Sequence, residues 1–202
     1  MAEEKNDAEA ATSHDELKRQ KRKKLILYVV VFIIFQIFVI AAFSQVVMKA
    51  KSPKLRLGQI QVQSLGLGSS TTSSPFFDLS FNAEVRVKNP NFGRYKFEDT
   101  VVTFTYEGVI LGQVLVPKGK AGLRSTEEID VMVNVNSNVL AGIPNNNLAG
   151  ELNAGILKIG SNAVMRGKVE IMGIIKKNKN AVMNCFMTFD LAARQIRTLD
   201  CQ

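Results

Sequence analysis

Residues Leu25 to Val47 constrain everything else in this chain. From Leu25 to Ala42 every side chain is apolar except Gln36, and Ser44 and Gln45 alone interrupt the last turn. About 20 apolar residues at ~1.5 Å rise each span a hydrocarbon core of ~30 Å, so the run predicts a membrane-crossing helix. A helix that is apolar on every side, with rings at Tyr28, Phe32, Phe35, Phe38 and Phe43, has no place on the surface of a soluble domain. A cleaved signal peptide is the competing reading, since Ala42-Phe43-Ser44 is a small-x-small site. The run exceeds the ~7–15 residues of a signal core, which favours a retained anchor. Either outcome sends the C-terminal part out of the cytosol.

The flanks set the orientation. Lys18, Arg19, Lys21, Arg22, Lys23 and Lys24 crowd the N-terminal side, whereas Lys49, Lys51, Lys54 and Arg56 follow more sparsely. Positive residues stay inside, so the N-terminus is expected in the cytoplasm and the C-terminal part on the far side of a plasma membrane or other endomembrane. Residues 1–17 are small, acidic and polar, and their start is expected to be disordered. Ser13 and Glu16 have capping-box spacing, so a helix is expected to begin near His14 and run into the anchor. No glycine lies between Leu25 and Leu57, which removes the small-residue route to close helix pairing. The expected organisation is a cytoplasmic tail at 1–24, a transmembrane helix at 25–47, a short tether at 48–54 and one domain at 55–202. A tether of six or so residues reaches only ~20 Å, which keeps the domain near the outer leaflet.

Charge narrows the partners. From Met48 to Gln202 there are 19 Lys and Arg against 12 Asp and Glu. A basic exported domain favours acidic neighbours such as anionic lipid head groups or acidic wall polysaccharide; an ordinary solvated surface is the plain alternative. No nucleic-acid recognition motif is present, and no nucleic-acid partner is expected. None of the fifteen asparagines lies in an Asn-x-Ser/Thr triplet, so N-glycosylation is not expected.

Beyond the tether the pattern changes to period two. Residues 55–65 predict a first, imperfect strand, and Gly66 to Pro75 predicts a mobile Gly/Ser/Thr loop. From Phe77 to Lys88 apolar and polar residues alternate without error, as in a sheet buried on one face, and Pro90 ends the strand. Thr100–Tyr106 and Val109–Val116 predict a hairpin about Glu107-Gly108, closed by Pro117 and followed by a basic loop from Lys118 to Ser125. Ile129 to Asn136 alternates again. Leu148, Leu152, Ile156 and Ile159 have helical spacing after the turn-forming run Pro144-Asn145-Asn146-Asn147, and strands are expected at 163–175 and 182–191.

The last hairpin carries the sharpest geometric expectation. With a loop centred on Ala193, Leu191 faces Gln195, Phe189 faces Arg197, Met187 faces Leu199 and Cys185 faces Cys201. Opposed residues bring their Cβ atoms to ~4.5–5.5 Å, close to disulfide range. A four-residue loop shifts this register and leaves two free buried thiols as the alternative. Seven or eight short strands and one short helix point to an all-β fold, a fibronectin-III/immunoglobulin-like β-sandwich preceded by a single N-terminal transmembrane helix.

A basic tail, one anchor, Val85-Arg86-Val87-Lys88-Asn89-Pro90-Asn91 and then Tyr106-Glu107-Gly108 resemble the second subgroup of the plant late-embryogenesis-abundant proteins. Their shared module is the water-stress-and-hypersensitive-response domain, and the anchored layout is similar to the harpin-induced-like branch associated with pathogen defence. Cys185 and Cys201 also sit where many such members carry cysteines. The resemblance implies a fibronectin-III-like sandwich, residence in the plasma membrane or another endomembrane, and a non-catalytic role in stress or defence. In physical terms Asn89, Pro90 and Asn91 need be no more than a turn: asparagine tolerates left-handed geometry and proline stops the strand.

Chemistry is hard to find. The single histidine, His14, lies in the tail, so no histidine-based triad or metal site is expected in the domain. Gly66-Leu67-Gly68 lacks the third glycine of a dinucleotide fingerprint, Glu127 and Glu128 read as turn, and Asp130 as the wet side of a strand. No catalytic residue, metal or cofactor is expected. Three non-enzymatic roles remain: a tethered interaction module with a protein or acidic partner, a lipid-binding or lipid-transfer module at the membrane surface, and a hydration protectant. The patterned core fits the protectant poorly.

Overall fold

The strand with the cleanest alternation holds the centre of the first sheet. The computed structural model describes residues 3–47, 49–70, 73–141, 143, 147–171 and 173–202, with the backbone alone at 3–20, 46–47, 69–70 and 73–74. In it β2 (Ser73–Lys88) is paired antiparallel on both sides, to β1 (Lys54–Ser70) and to β7 (Thr126–Asn136). Phe77, Leu79, Phe81, Ala83, Val85 and Val87 of β2 are all buried. A strand paired along both edges cannot slip by one residue without turning that whole row outward.

β1 is irregular for a physical reason. Its apolar residues Leu55, Leu57, Ile60, Val62, Leu65 and Leu67 are spaced two, three, two, three and two apart. Register shifts fall between Leu57 and Ile60 and between Val62 and Ser64, where an extra residue returns the half-buried Ile60, Val62 and Leu65 to positions opposite Ala83, Phe81 and Leu79. The same pairing corrects the loop expected at 66–75. Gly66 pairs with Asp78, Leu67 with Phe77, Gly68 with Phe76 and Ser70 with Ser73, so the hairpin continues through the Gly/Ser/Thr stretch; Thr71 and Thr72 lie outside the described residues. Ladder continuity outweighs the weak strand propensity of these residues.

Two long, bent hairpins build the other face. The first runs through β3 (Arg94–Phe97), β4 (Thr100–Tyr106), β5 (Val109–Val116) and β6 (Gly119–Ala121). The second runs through β8 (Ile156–Met165), β9 (Gly167–Ile171), β10 (Ile175–Asn178) and β11 (Ala181–Asp190), and β12 (Gln195–Cys201) adds an edge. The five-stranded sheet has the order β12-β11-β8-β4-β5 and the four-stranded sheet β10-β9-β3-β6. The orders match because each of four chain passes crosses from one sheet into the other. Register survives the break: Thr100 pairs with Val116 and Phe97 with Gly119. At the bend Pro117 has no donor to offer, the Lys118 N–H donates to Asp99 Oδ1 (2.6 Å), and the Glu98 N–H donates to the Arg166 carbonyl (3.0 Å). Joining the bent pairs leaves eight chain passes, within the number the alternation predicts, although β3 and the short β6 inside the expected basic loop were not separately legible.

The two faces close on aromatic rings. Phe81 of β2 meets Phe104 of β4 at 5.6 Å between centroids, nearly edge to face, and Phe189 of β11 at 5.3 Å. The result is an all-β, sandwich-like fold. Chain packing separates a unit Met1–Lys49 from a unit Ala50–Gln202. In the first, α1 spans Glu3–Val47, and Lys21–Gln45 is long and apolar enough to cross a membrane. The helix starts well before His14, and the expected disorder at the start of the tail gives way to helix over 3–17; no glycine or proline breaks the run before Pro53.

Two local expectations need correction. The short helix α2 (Leu148–Asn153) exists, but Ile156 and Ile159 belong to β8. Gly155, at φ +71°, ends the helical turn, and Leu157, Ile159, Ala163 and Met165 then alternate inward. Pro144, Asn145 and Asn146 lie outside the described residues, as does Met172 between β9 and β10. In the last hairpin the loop has four residues, Leu191–Arg194, and Asp190 pairs with Gln195. Phe189 pairs with Ile196, so neither Leu191–Gln195 nor Phe189–Arg197 forms. A bulge at Arg197 then absorbs the shift, and Met187 faces Leu199 and Cys185 faces Cys201.

Cys185 and Cys201 are joined by a disulfide, with Cα atoms 4.1 Å apart. It ties the edge strand β12 to β11 over a sequence separation of 16. Closing a loop of about 15 residues is worth about 3 kcal/mol. Cys201→Ala in the full chain is expected to lower stability by about that amount, read as a lower urea midpoint in detergent micelles, and dithiothreitol should give the parent the same loss. A midpoint unchanged by either treatment contradicts this role.

Candidate functional site

The turn that ends β2 is built from buried amides. The Asn89 backbone N–H donates to the Ser125 carbonyl (2.8 Å), and the Asn89 Nδ2 donates to the carbonyls of Gly93 (2.7 Å) and Gly122 (2.6 Å). Asn89 Oδ1 accepts from the Asn91 backbone N–H (3.1 Å) and from Asn91 Nδ2 (2.9 Å). Asn91 then turns to the first residues of the domain: the Lys51 N–H donates to Asn91 Oδ1 (2.6 Å), and Asn91 Nδ2 donates to the Lys51 carbonyl (2.8 Å). The asparagines therefore stitch together the strand end, the 122–125 loop and the segment entering the sandwich. Pro90 lies between them with no N–H to satisfy. The Arg124 guanidinium lies 4.9 Å from the centroid of the exposed Phe92 ring.

A basic face lies beside this turn, on the solvent side of the first sheet. The β1–β2 register sets Lys54 directly opposite Lys88 and Arg56 directly opposite Arg86. Like charges directly opposed in a sheet are destabilising. These four residues, with Leu57, Thr126 and Glu128, line an open groove of about 410 Å³. Glu84 bonds Arg86 and, with Glu128 at 3.4 Å, raises the guanidinium pKa above its ordinary value. Lys54, Arg56 and Lys88 are exposed. Alternation places Arg86 and Lys88 on the wet face; Lys54, expected in the tether, begins β1, and only the register shows that these residues oppose one another.

The remaining polar groups are dispersed. Glu127 and Glu128 stand on β7 rather than in a turn, and Asp130 faces Glu84 across the β2–β7 ladder. Lys96 bonds Glu170 (2.9 Å) and holds its carboxyl below the usual range. Burial pushes the Tyr106 hydroxyl up to about 12, helped by Glu151 and Glu107, and burial and Glu98 do the same to Tyr95. The Tyr95 hydroxyl donates to the carbonyls of Lys179 (3.1 Å) or Met165 (3.3 Å). Among the described residues no three of His, Cys, Asp and Glu are grouped to hold a metal ion. The basic residues before the span lie on α1: Lys21, Arg22, Lys23 and Lys24 are exposed, while Lys18 and Arg19 are described by backbone alone.

No family model matches the chain. A late embryogenesis abundant protein of Arabidopsis thaliana is 25% identical over 181 residues, which span 89% of this chain and 83% of that protein. The solution structure of another Arabidopsis thaliana protein is 15% identical, with a TM-score of 0.40, and covers 68% of this chain and 82% of its own. That of a late embryogenesis abundant protein is 13% identical, with a TM-score of 0.35, and covers 74% of this chain and 84% of its own. The sequence likeness supports a family of late-embryogenesis-abundant type. The structural overlaps are loose, and the fold rests on the strand pairing itself.

Each buried polar group left without a partner costs ~1–3 kcal/mol. Asn89→Ala strands several such groups and is expected to cost about 3 kcal/mol or more, against about 1–2 kcal/mol for Asn91→Ala, whose partner Lys51 is within reach of water. Asn89→Asp keeps the shape but cannot donate to the Gly93 and Gly122 carbonyls, so it should not restore stability. Denaturant midpoints of the three variants check the order; an Asn89→Ala chain as stable as the parent refutes it.

Proposed function

We propose that this chain is a non-catalytic, single-pass membrane protein that displays a basic β-sandwich binding module outside the cytosol, in plant stress or defence. The observation that carries this reading is the basic face of the first sheet, where Lys54 opposes Lys88 and Arg56 opposes Arg86. Glu84 and Glu128 offset the charge of Arg86, while the exposed Lys54, Arg56 and Lys88 add positive charge beside it. An acidic partner laid across them turns mutual repulsion into attraction.

The other parts of the reading have their own support. Lys21–Gln45 is apolar enough to cross a bilayer, and the six basic residues before it favour a cytoplasmic N-terminus. The likeness to a late embryogenesis abundant protein, together with the Asn89-Pro90-Asn91 turn and the anchored layout, favours the second subgroup and its plasma-membrane branch. A lipid held between the sheets is the second reading. Phe81 meets Phe104 and Phe189 between the facing sheets, and these ring contacts favour binding on the outer face instead.

The test uses the full chain in nanodiscs of phosphatidylcholine alone. Retention is expected on polygalacturonate or on phosphatidylserine-coated beads, weakening as salt rises and lost in the Lys54→Glu/Arg56→Glu variant. A parent chain that passes through both matrices at low salt, or a variant retained as well as the parent, contradicts the proposal.

A further inference from the structure

Three separate connections converge on the end of the sandwich where Asn91 holds Lys51. The 89–93 turn is hydrogen-bonded to the 122–125 loop through Asn89 N–H to Ser125 (2.8 Å) and Arg124 N–H to Asn91 (3.0 Å). On its other side Gly93 packs so closely on β9 that a Cβ there would lie 2.3 Å from the Glu170 carbonyl, which brings the β9–β10 turn alongside. Each connection presents one large apolar side chain to solvent: Phe92 is 40% exposed, Leu123 57% and Ile174 86%.

Single exposed apolar residues are ordinary on protein surfaces. Here three of them occupy neighbouring loop tips, where neither a sheet ladder nor core packing requires them. Around them stand Lys51, Arg94 and Arg124, all exposed. Apolar tips within a cationic rim match the boundary between acyl chains and anionic head groups. The chain itself brings that boundary near, because residues 46–50 between the span and Lys51 reach at most about 18 Å even when fully extended.

We infer that this end of the domain docks on the outer leaflet of an anionic phospholipid bilayer, with Phe92, Leu123 and Ile174 inserted at the interface and the surrounding lysine and arginines on lipid phosphates. The inference rests on the anchored reading above but not on the acidic partner proposed for the sheet face. It makes the tether a short leash on a domain seated on the membrane, with the five-stranded sheet free to meet other molecules.

The chain has no tryptophan, so single reporters are available without background. Phe92→Trp, Leu123→Trp and Ile174→Trp are placed one at a time in the full chain, with Phe186→Trp on the five-stranded sheet as the reference. Each is reconstituted in nanodiscs of phosphatidylcholine and phosphatidylserine, with and without lipids brominated near the head group. Blue-shifted emission, loss of that emission in brominated discs and shielding from aqueous iodide are expected at the three loop positions and not at Phe186. Loop reporters that co-elute with discs yet behave like the Phe186 reporter overturn the docking inference alone. A chain that elutes free of the discs overturns the anchored reading, and the inference falls with it.

Discussion

A long helix with apolar side chains on every side has no stable place in water, and the functional reading depends on that constraint. Between Leu25 and Ala42 only Gln36 offers water a strong side-chain hydrogen bond beyond the Tyr28 hydroxyl. Seating the helix in a bilayer removes the conflict and restricts the domain to the reach of a few residues. On the proposed anchored arrangement, the basic sheet face and the apolar loop tips would operate at a surface rather than in free solution. Effective concentration near that surface, more than intrinsic affinity, decides what such a module meets.

Much of the fold was legible where one physical rule acted alone. From Asp78 to Lys88 β2 is paired on both edges and packed on one face, so its alternation there is free of error and its C-terminal limit follows from Asn89 and Pro90. The β4–β5 hairpin was legible from Glu107-Gly108, where both residues take positive φ (45° and 85°). Legibility failed where two rules competed. In β1 bulges preserve the apolar face at the expense of simple alternation. In residues 66–70 poor strand formers follow the ladder because β2 stands opposite. At Ile156 and Ile159 a helical spacing continued by coincidence into a strand, and Gly155 marks the change.

The last hairpin shows how a partly wrong register can still reach the right pair. The loop is one residue longer than the alternation suggests, yet the bulge at Arg197 returns Met187 to Leu199 and Cys185 to Cys201. The candidate site was less legible than the fold. Asn89-Pro90-Asn91 reads as a turn from sequence, but its link to Lys51 joins residues 40 positions apart. The opposition of Lys54 to Lys88 and of Arg56 to Arg86 needs the register. The grouping of Phe92, Leu123 and Ile174 needs three loops to be brought together by pairing elsewhere.

The most direct measurement of the central claim is protease digestion of intact plant protoplasts expressing the full chain tagged at both ends. With the anchor spanning the plasma membrane and the N-terminus inside, added protease should remove the C-terminal tag and leave an N-terminal fragment that alkaline carbonate does not extract. A C-terminal tag that survives until the cells are permeabilised, or a full-length chain released by carbonate alone, contradicts that arrangement.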